Sequence, residues 1–362
     1  MTTTGRGAIR IVAVANDGGV SVEERGSRDA MWATWRQGHG TLTSSRVGDS
    51  AALLADGEDV PGATTSPPLF LGPGLPHYAL WSPRGKRLAY VVPDGRSLVL
   101  KVWTPRDSGA TALTAGAPIF PAWHPDEDIV FVHHGTALQR YDLESGEQLV
   151  FSQSAAGFRT PALSPDGARL AWAEVRDGSV LVLESPAARA EPRVLRSFGA
   201  GVVLFYAATG RLLASVGSSP ESLAFSAIVD VETGRQLIRS VMTAAWCAPD
   251  GSKIATLHPS FIGDGRYQAK LWDASGRTLA ATEPFVPSVH AGTMVSFFDQ
   301  YQLSHPLWSA DSRWFAFSGR FATEGPHPAF HDGIEDYVWL WDTAQREVHR
   351  RIAPGSTAAF ER

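Results

Sequence analysis

Short apolar runs separated by tight polar turns recur along the whole chain. In residues 78–95, YALWSPRGKRLAYVVPDG, one apolar run ends at Trp81, a Ser-Pro-x-Gly turn follows, and the next run begins at Leu88. Short runs bounded by glycine and proline are typical of β-strands joined by tight turns. No segment shows, over a convincing length, the apolar spacing that marks an amphipathic helix. The pattern therefore predicts antiparallel strands.

This strand-turn-strand unit occurs seven times. Each copy is anchored on the residue that ends its first strand, and successive anchors lie 40 to 46 residues apart, except for a last interval of 61 residues. Such spacing is typical of a radial array of four-stranded blades, which have roughly 40–45 residues each. The anchors are Trp35, Trp81, Trp123, Leu163, Tyr206, Cys247 and Trp308.

A third strand and an Asp-containing hairpin turn usually follow each copy, as at 142–146, 230–234 and 273–276. Aspartate accepts hydrogen bonds from the backbone of such turns, and glycine adopts the positive φ that they require. The third strands, such as LVLKVW, show the alternation of half-buried strands. We therefore predict an all-β fold in which residues 1–362 form a single β-propeller domain of four-stranded blades.

The two ends of the chain contain further strand-like segments that can close the ring. Residues 356–361 would supply an inner strand, and residues 9–15 and 19–24 would supply two more strands of the same blade. This favours eight blades, with the eighth shared between the termini. Seven blades with an overhanging terminal hairpin is the alternative.

The Trp-Ser-Pro-Asp-Gly-x-x-Leu-Ala pattern resembles the repeat of the TolB-like propellers, relatives of the WD-repeat proteins. Residues 163–171 (LSPDGARLA) and 248–255 (APDGSKIA) match it closely, whereas the copies at Trp35 and Tyr206 depart from it in the turn. The resemblance covers almost the whole chain. It implies a propeller fold and a habit of binding partners, but no single reaction, because propellers support many functions.

Composition narrows the classes of partner. With 44% hydrophobic residues and a net charge of -5, the chain is expected to be a soluble globular protein that does not bind nucleic acid. The single cysteine, Cys247, excludes an intrachain disulfide framework and Cys-based zinc clusters. No apolar segment of signal-peptide type and no run of membrane-spanning length is seen. A cytoplasmic location without direct membrane insertion is therefore expected.

Four insertions interrupt the repeat, at 61–77, 258–267, 287–304 and 319–335. Two lie between the last strand of one blade and the first strand of the next, and two lie between second and third strands. Both types of connection emerge on the same face of an antiparallel blade, so all four insertions are predicted to decorate one face. Loops on a rigid scaffold commonly carry function.

These insertions are rich in aromatic residues, which dominate many protein interfaces. We single out as candidate partner-binding residues Phe261, Phe297, Phe298, Tyr301, Phe321 and Phe330. The alternative is that the long loops fold back and bury these aromatics against the ring. The leading hypothesis is a non-catalytic scaffold that binds a protein partner or a larger assembly through this face.

The alternative function is an enzyme, or a protein that binds a small ligand or a metal, with its site at the mouth of the central channel on the same face. The weak candidates for a divalent metal are His327, His331 and Asp332. Two histidines four residues apart share a face on a helix, where both can bind one metal ion with an aspartate as a third ligand. Pro328 makes a helix doubtful here. No Gly-x-Ser-x-Gly elbow is present, so no catalytic residues and no cofactor are predicted.

Overall fold

The computed structural model describes residues 1–5, 8–15, 19–25, 30–46, 51–63, 78–156, 159–217, 224–260, 265–321, 336–345 and 349–361. Within these ranges nearly all regular structure is β-strand, arranged as six four-stranded sheets and one eight-stranded sheet. Sequential strands pair antiparallel within each sheet. The predicted all-β fold of four-stranded antiparallel units is confirmed.

The two ends of the chain share one four-stranded sheet. Thr2–Gly5 (β1), Ala8–Val14 (β2) and Val20–Arg25 (β3) pair in sequence, and the carboxy-terminal strand, Thr357–Ala359, completes the sheet beside β1. Thr2 lies opposite Ala359, and Thr4 lies opposite Thr357. The predicted pairing of residues from both ends is confirmed, and the structure adds β1, which the apolar pattern did not reveal because its sequence is TTTG.

The other four-stranded sheets each use consecutive strands. Two sheets consist of Ala30–Arg36 (β4), Thr41–Arg46 (β5), Ala52–Ala55 (β6) and Glu58–Asp59 (β7), and of Tyr78–Trp81 (β8), Leu88–Asp94 (β9), Ser97–Trp103 (β10) and Thr111–Gly116 (β11). The next two consist of Ile119–Trp123 (β12), Ile129–His134 (β13), Ala137–Asp142 (β14) and Gln148–Ser152 (β15), and of Ala162–Leu163 (β16), Arg169–Arg176 (β17), Ser179–Pro186 (β18) and Arg193–Phe198 (β19). The last consists of Val202–Tyr206 (β20), Leu212–Gly217 (β21), Phe225–Asp230 (β22) and Gln236–Met242 (β23).

The eight-stranded sheet joins two such units through one short strand. It contains Ala244–Cys247 (β24), Lys253–Pro259 (β25), Tyr267–Asp273 (β26), Thr278–Ala281 (β27), Phe285–Pro287 (β28), Trp314–Phe321 (β29), Tyr337–Asp342 (β30) and His349–Pro354 (β31). The strand β28 pairs with β26 on one side and with β29 on the other. Trp308 forms an isolated bridge with Phe315, at the place of an inner strand beside β29.

The sheets follow one another in a closed ring. Strand β4 contacts β8, β10 contacts β12, β16 contacts β20, and β23 contacts β25, while an isolated bridge joins Ala155 to Glu174. The carboxy-terminal strand, Thr357–Ala359 (β32), contacts both β29 and β4. The sheet shared by the two ends therefore closes the ring.

The repeated turns and tryptophans stabilise this arrangement. The Ser82 hydroxyl accepts hydrogen bonds from the backbone of Lys86 and Arg87. The indole nitrogen of Trp123 donates to the carbonyl of Leu80, and that of Trp308 donates to the carbonyl of Trp246, both on the preceding unit. Because a buried donor without a partner is costly, each such bond fixes one sheet against the next. The anchor tryptophans are therefore part of the scaffold.

Candidate functional site

The insertion at 287–304 contains two short helices, Val289–Ser296 (α1) and Phe298–Ser304 (α2). The second helix contacts β8, β12, β20 and β24, which are the first strands of four different sheets in the ring. First strands line the axis of such a ring, so α2 lies in the central channel. We call residues 289–304 the plug.

Side chains of α2 reach different sides of the channel. Phe298 packs edge-to-face on Phe225 and on Trp246, with ring centroids 6.0 and 6.2 Å apart. On another side, the Tyr78 hydroxyl donates to the carbonyl of Gln300 at 2.6 Å. Because neighbouring helical residues point about 100° apart, successive side chains of one helix can contact several sheets.

Asp299 anchors the plug to residues 159–160, which immediately precede β16. Asp299 is 3% exposed, and its carboxylate accepts a hydrogen bond from the backbone N–H of Thr160 at 2.9 Å. The Arg159 guanidinium lies 3.5 Å from the same carboxyl group. Burial raises the pKa of Asp299, and Arg159 and the Thr160 hydrogen bond oppose that rise. Inside the channel, these two partners therefore offset the free-energy cost of burying the charge of Asp299.

An aromatic cluster holds the other side of the plug. Trp32 stacks on Tyr301 with ring centroids 5.3 Å apart, and it meets His290 and His305 edge-to-face. Trp32 has a φ of 53° in a β-bulge of β4. This is a costly conformation for a bulky residue, of the kind that persists where the surrounding structure holds it. Here the packing of the Trp32 indole against the plug holds this backbone conformation.

Both histidines of this cluster are neutral at pH 7. Burial lowers the pKa of His290 to about 4 and that of His305 to about 4. Nδ1 of His305 lies 2.7 Å from the Ser304 hydroxyl. Because the neutral imidazoles pack against aromatic rings, protonation of either would place an ion in an apolar site.

The first helix is tied to the sheet that the chain ends share. Ser288 caps α1 by accepting from the backbone N–H of Ala291, and its hydroxyl donates to the carbonyl of Ser356 at 2.5 Å. The Ser318 hydroxyl donates to the same carbonyl, and Nδ1 of His290 lies 2.7 Å from the Ser356 hydroxyl. These contacts hold the plug at its amino-terminal end.

A small, mainly apolar cavity of about 20 Å³ lies beside the residues that hold Asp299, and its polar lining residues are His133, Arg159 and Thr160. Nδ1 of His133 lies 2.8 Å from the carbonyl of Arg159, and burial lowers the pKa of His133. A water molecule needs roughly 10–15 Å³ of such space. This cavity is therefore of the size of one water and too small for a substrate.

The predicted partner-binding aromatics have different environments. Phe298 and Tyr301 are buried in the channel, Phe297 is half-buried, and Phe321 is buried. Phe321 packs edge-to-face on Trp339 with ring centroids 4.6 Å apart. These three buried side chains offer little surface to a partner, and a role of the six aromatics in partner binding stays a prediction. Phe261 and Phe330 lie outside the described residues.

The weak metal candidates His327, His331 and Asp332 lie outside the described residues. Within the described ranges, no group of three or more histidine, cysteine, aspartate and glutamate side chains is placed to hold a metal ion. Elsewhere, Nε2 of His258 lies 2.6 Å from the Thr256 hydroxyl. That histidine therefore belongs to the internal hydrogen bonds of its sheet.

The ends of three insertions meet where β28 joins the two halves of the eight-stranded sheet. Tyr267 pairs with Phe285, Phe285 pairs with Phe321, and Pro287 pairs with Gly319. The insertions at 258–267, 287–304 and 319–335 therefore start or end side by side, as the connection types predict. Among them, the plug turns inward to the channel.

Sequence reasoning did not find the plug. Its second helix is buried at Phe298, Asp299, Gln300, Tyr301 and Ser304, so it presents no polar face and no apolar stripe. The available signals were the 61-residue interval before Trp308 and the helix-capping residue Ser288. Neither indicates that the segment enters the channel.

Three solved structures resemble this chain over most of its length. An oligogalacturonate lyase from Vibrio parahaemolyticus is similar at 13% identity with a TM-score of 0.53, over 91% of this chain and 87% of that one. An oligogalacturonate lyase in complex with manganese is similar at 14% identity and a TM-score of 0.52, over 90% and 84%. A eukaryotic initiation factor is similar at 11% identity and a TM-score of 0.52, over 99% and 97%.

The fold is a β-propeller. At these identities the likeness shows the fold alone, and the predicted propeller is confirmed at that level. TolB from Acinetobacter baumannii is also similar to this propeller, at 17% identity and a TM-score of 0.43 over 76% of the chain, which spans 65% of the length of that TolB structure. No protein-family model matches the chain, and no curated protein matches it. Of the helices in the described part of the propeller, none has the length and apolar character needed to cross a membrane.

Proposed function

We propose that this propeller is a non-catalytic interaction scaffold that binds a protein partner through the face carrying the four insertions, while its own plug closes the central channel. The observation that supports this most strongly is the position of α2, whose side chains fill the axis of the ring. A channel occupied by the chain itself does not offer the space that a substrate pocket needs. A partner would then be recognised by the face that carries the four insertions.

The position of β28 supports this choice of face. It brings the ends of three insertions together, and α1 begins immediately beyond it. Val289, at the start of α1, is 52% exposed. A rigid ring that presents adjoining loops is the usual arrangement of a loop-based binding site.

We further propose that the ring has eight blades. The six four-stranded sheets of the described residues account for six, and the eight-stranded sheet accounts for two when it is divided at β28. Under this assignment the blade shared by the chain ends is the eighth. A cytoplasmic location also stays a prediction.

Paired valine substitutions test the interaction role. Val289→Asp places a charge on the proposed face, whereas Val194→Asp makes the same change on β19, where Val194 is 54% exposed. We expect the first substitution to lower capture of a partner from a lysate of the source cell at least about tenfold, because a charge at an apolar interface is poorly tolerated. The second should leave capture unchanged.

Equal capture by both folded variants and the wild type would contradict the proposed face. Deleting residues 287–304 is not a suitable test, because that segment contains the buried side chains of α2. A circular dichroism melt of each valine variant provides the folding control.

The two lyase structures raise an enzymatic role as the alternative. Turnover of oligogalacturonate by the purified chain, with or without added Mn²⁺, would support that alternative and contradict the scaffold proposal. The same assay on Asp299→Ala would then show whether the plug takes part.

A further inference from the structure

We propose that the outer edge of β3 is a self-association site, to which the β3 strand of a second copy of this chain adds in antiparallel orientation. On one side β3 pairs with β2, and its other side is the open edge of the sheet that the chain ends share. An open strand edge is a template for pairing with another chain. The site lies outside the four insertions and does not depend on the proposed interaction face.

The side chains of β3 leave room for a further strand. Val20 and Val22, which we call the edge valines, are 38% and 46% exposed and lie on the same side of the strand. On the opposite side Ser21 and Glu23 are exposed as well, so both sides of this edge are open to solvent. The other outer strands that the structure describes have at most one exposed large apolar side chain each: Val150 on β15, Val194 on β19 and Val241 on β23.

The backbone groups of the edge valines point to the open edge. Val12 of β2 exchanges two backbone hydrogen bonds with Met1. Because such bonds alternate in direction along an antiparallel strand, the next residue, Ala13, directs its groups towards β3, where it lies opposite Ser21. Ser21 therefore bonds to β2, and the edge valines on either side of it direct their N–H and C=O groups outward.

One register of two antiparallel copies matches these outward groups. With Ser21 opposite Ser21 of the second copy, Val20 of each chain lies opposite Val22 of the other. Each of these valine pairs is then of the hydrogen-bonded type, in which the two residues exchange both backbone hydrogen bonds. The edge valines of both copies form one apolar cluster, a favourable cross-strand arrangement. The contact is self-complementary, as a closed two-fold dimer requires.

Charge favours this register over its neighbours. It places Glu23 opposite Gly19 of the second copy, and the two Glu23 residues lie about 14 Å apart at 3.4 Å per residue. A register centred on Glu23 would set the two carboxylates directly opposite each other, which is unfavourable. A register centred on Val22 would set Val20 against Glu24. The edge of β3 is therefore complementary to itself in the register centred on Ser21.

Sedimentation velocity of the whole chain tests the self-association. The contact is smaller than a standard interface, so we expect a dissociation constant of about 10–100 µM. The weight-average mass should then rise at least about 1.5-fold between about 1 and 500 µM chain.

Substitutions at Val22 test whether the edge of β3 carries the contact. Val22→Pro should keep the chain monomeric over that range, because it removes an outward N–H and no bond to β2. Val22→Lys should do the same by placing a charge in the apolar cluster, and it replaces Val22→Pro if that variant does not fold. Val194→Lys makes the same change on β19 and should leave the rise in mass unchanged. A circular dichroism melt of each variant provides the folding control.

A cysteine cross-link tests the register. In a Cys247→Ala background, Ser21→Cys should form an intermolecular disulfide on mild oxidation, since the two residues face each other at a Cα separation of about 4.5 Å. Glu23→Cys lies on the same side of the same strand, but its two copies are about 14 Å apart and should not cross-link.

A wild-type chain that stays monomeric at about 500 µM would overturn the proposal. An undiminished rise in mass in folded Val22→Pro or Val22→Lys would place the contact on another surface and would overturn it as well. Cross-linking of Glu23→Cys without cross-linking of Ser21→Cys would contradict the register.

Discussion

The carboxylate of Asp299 accepts a hydrogen bond from the backbone N–H of Thr160, 139 residues earlier in the chain, at 2.9 Å. This contact joins the first turn of α2 to the wall of the channel. It makes the insertion at 287–304 part of the core of the propeller, and it explains why a short helix with polar residues on several sides is stable there.

Replacing Asp299 with alanine should destabilise the fold. The change leaves the Thr160 N–H without its acceptor and Arg159 without its ion-pair partner in a buried site, which should lower the free energy of unfolding by about 2–4 kcal/mol. Asp299→Asn retains an oxygen acceptor for Thr160 and should lose less. Urea unfolding of both variants measures the difference.

The exposed Asp126 provides the control for that series. Asp126→Ala should change the free energy of unfolding by no more than about 0.5 kcal/mol. A similar loss in Asp126→Ala and Asp299→Ala would mean that the buried contact with Thr160 contributes little.

Stability should fall as the pH is lowered from 6.5 towards 4. The folded-state pKa values of His290, His305 and His258 are lowered to about 4, below the ordinary value of 6.5. In this window the unfolded chain binds protons that the folded chain does not, so acidification favours unfolding. Above pH 6.5 these groups are neutral in both states and the effect vanishes.

Removing His305 should reduce that pH dependence. In His305→Phe, the loss of unfolding free energy between pH 7 and pH 5 should be smaller than in the wild type, because one fewer proton is taken up on unfolding. Tyr301→Phe alters the same cluster without removing a histidine and should retain the wild-type slope. An unchanged slope in His305→Phe would show that His305 titrates alike in both states.

A glycine pair tests the packing between sheets. Gly276 has a φ of 89°, and an added Cβ would lie 1.9 Å from the carbonyl oxygen of Leu237. Gly95 has a φ of 60° with no atom within 4 Å of an added Cβ. Gly95→Ala should cost about 1–2 kcal/mol for its backbone conformation, and Gly276→Ala should cost at least about 3 kcal/mol because of the added clash. Equal melting temperatures of the two variants would contradict the tight contact between Gly276 and Leu237 of β23.

The sequence predicts the scaffold well because each part of it is local. Trp81 and Leu88 lie on either side of a turn whose residues have direct conformational roles. The strand-like runs near both ends of the chain also predict that these ends pair in one sheet. The aromatic residues were harder to interpret. Composition alone does not distinguish an exposed Phe321 from one that packs against Trp339 inside the sheet.

The plug could not be predicted, for a physical reason. Five of the seven residues of its second helix are buried and the other two are half-buried, so the helix lacks the apolar stripe by which a surface helix is recognised. Its stability comes from partners remote in sequence: Thr160 for Asp299, and Tyr78, 222 residues from Gln300. Such pairings exist only after the ring has formed.

Hydrogen exchange of residues 298–304 tests the central claim, that the chain's own helix fills the channel. In the folded protein, the backbone N–H of Tyr301 donates to the carbonyl of Phe297 at 3.0 Å, inside the ring. The account predicts that this amide exchanges as slowly as those of β8 and β20, to within about tenfold, because it opens only when the ring does. Exchange as fast as that of an exposed loop would show that the channel is open and would contradict the account.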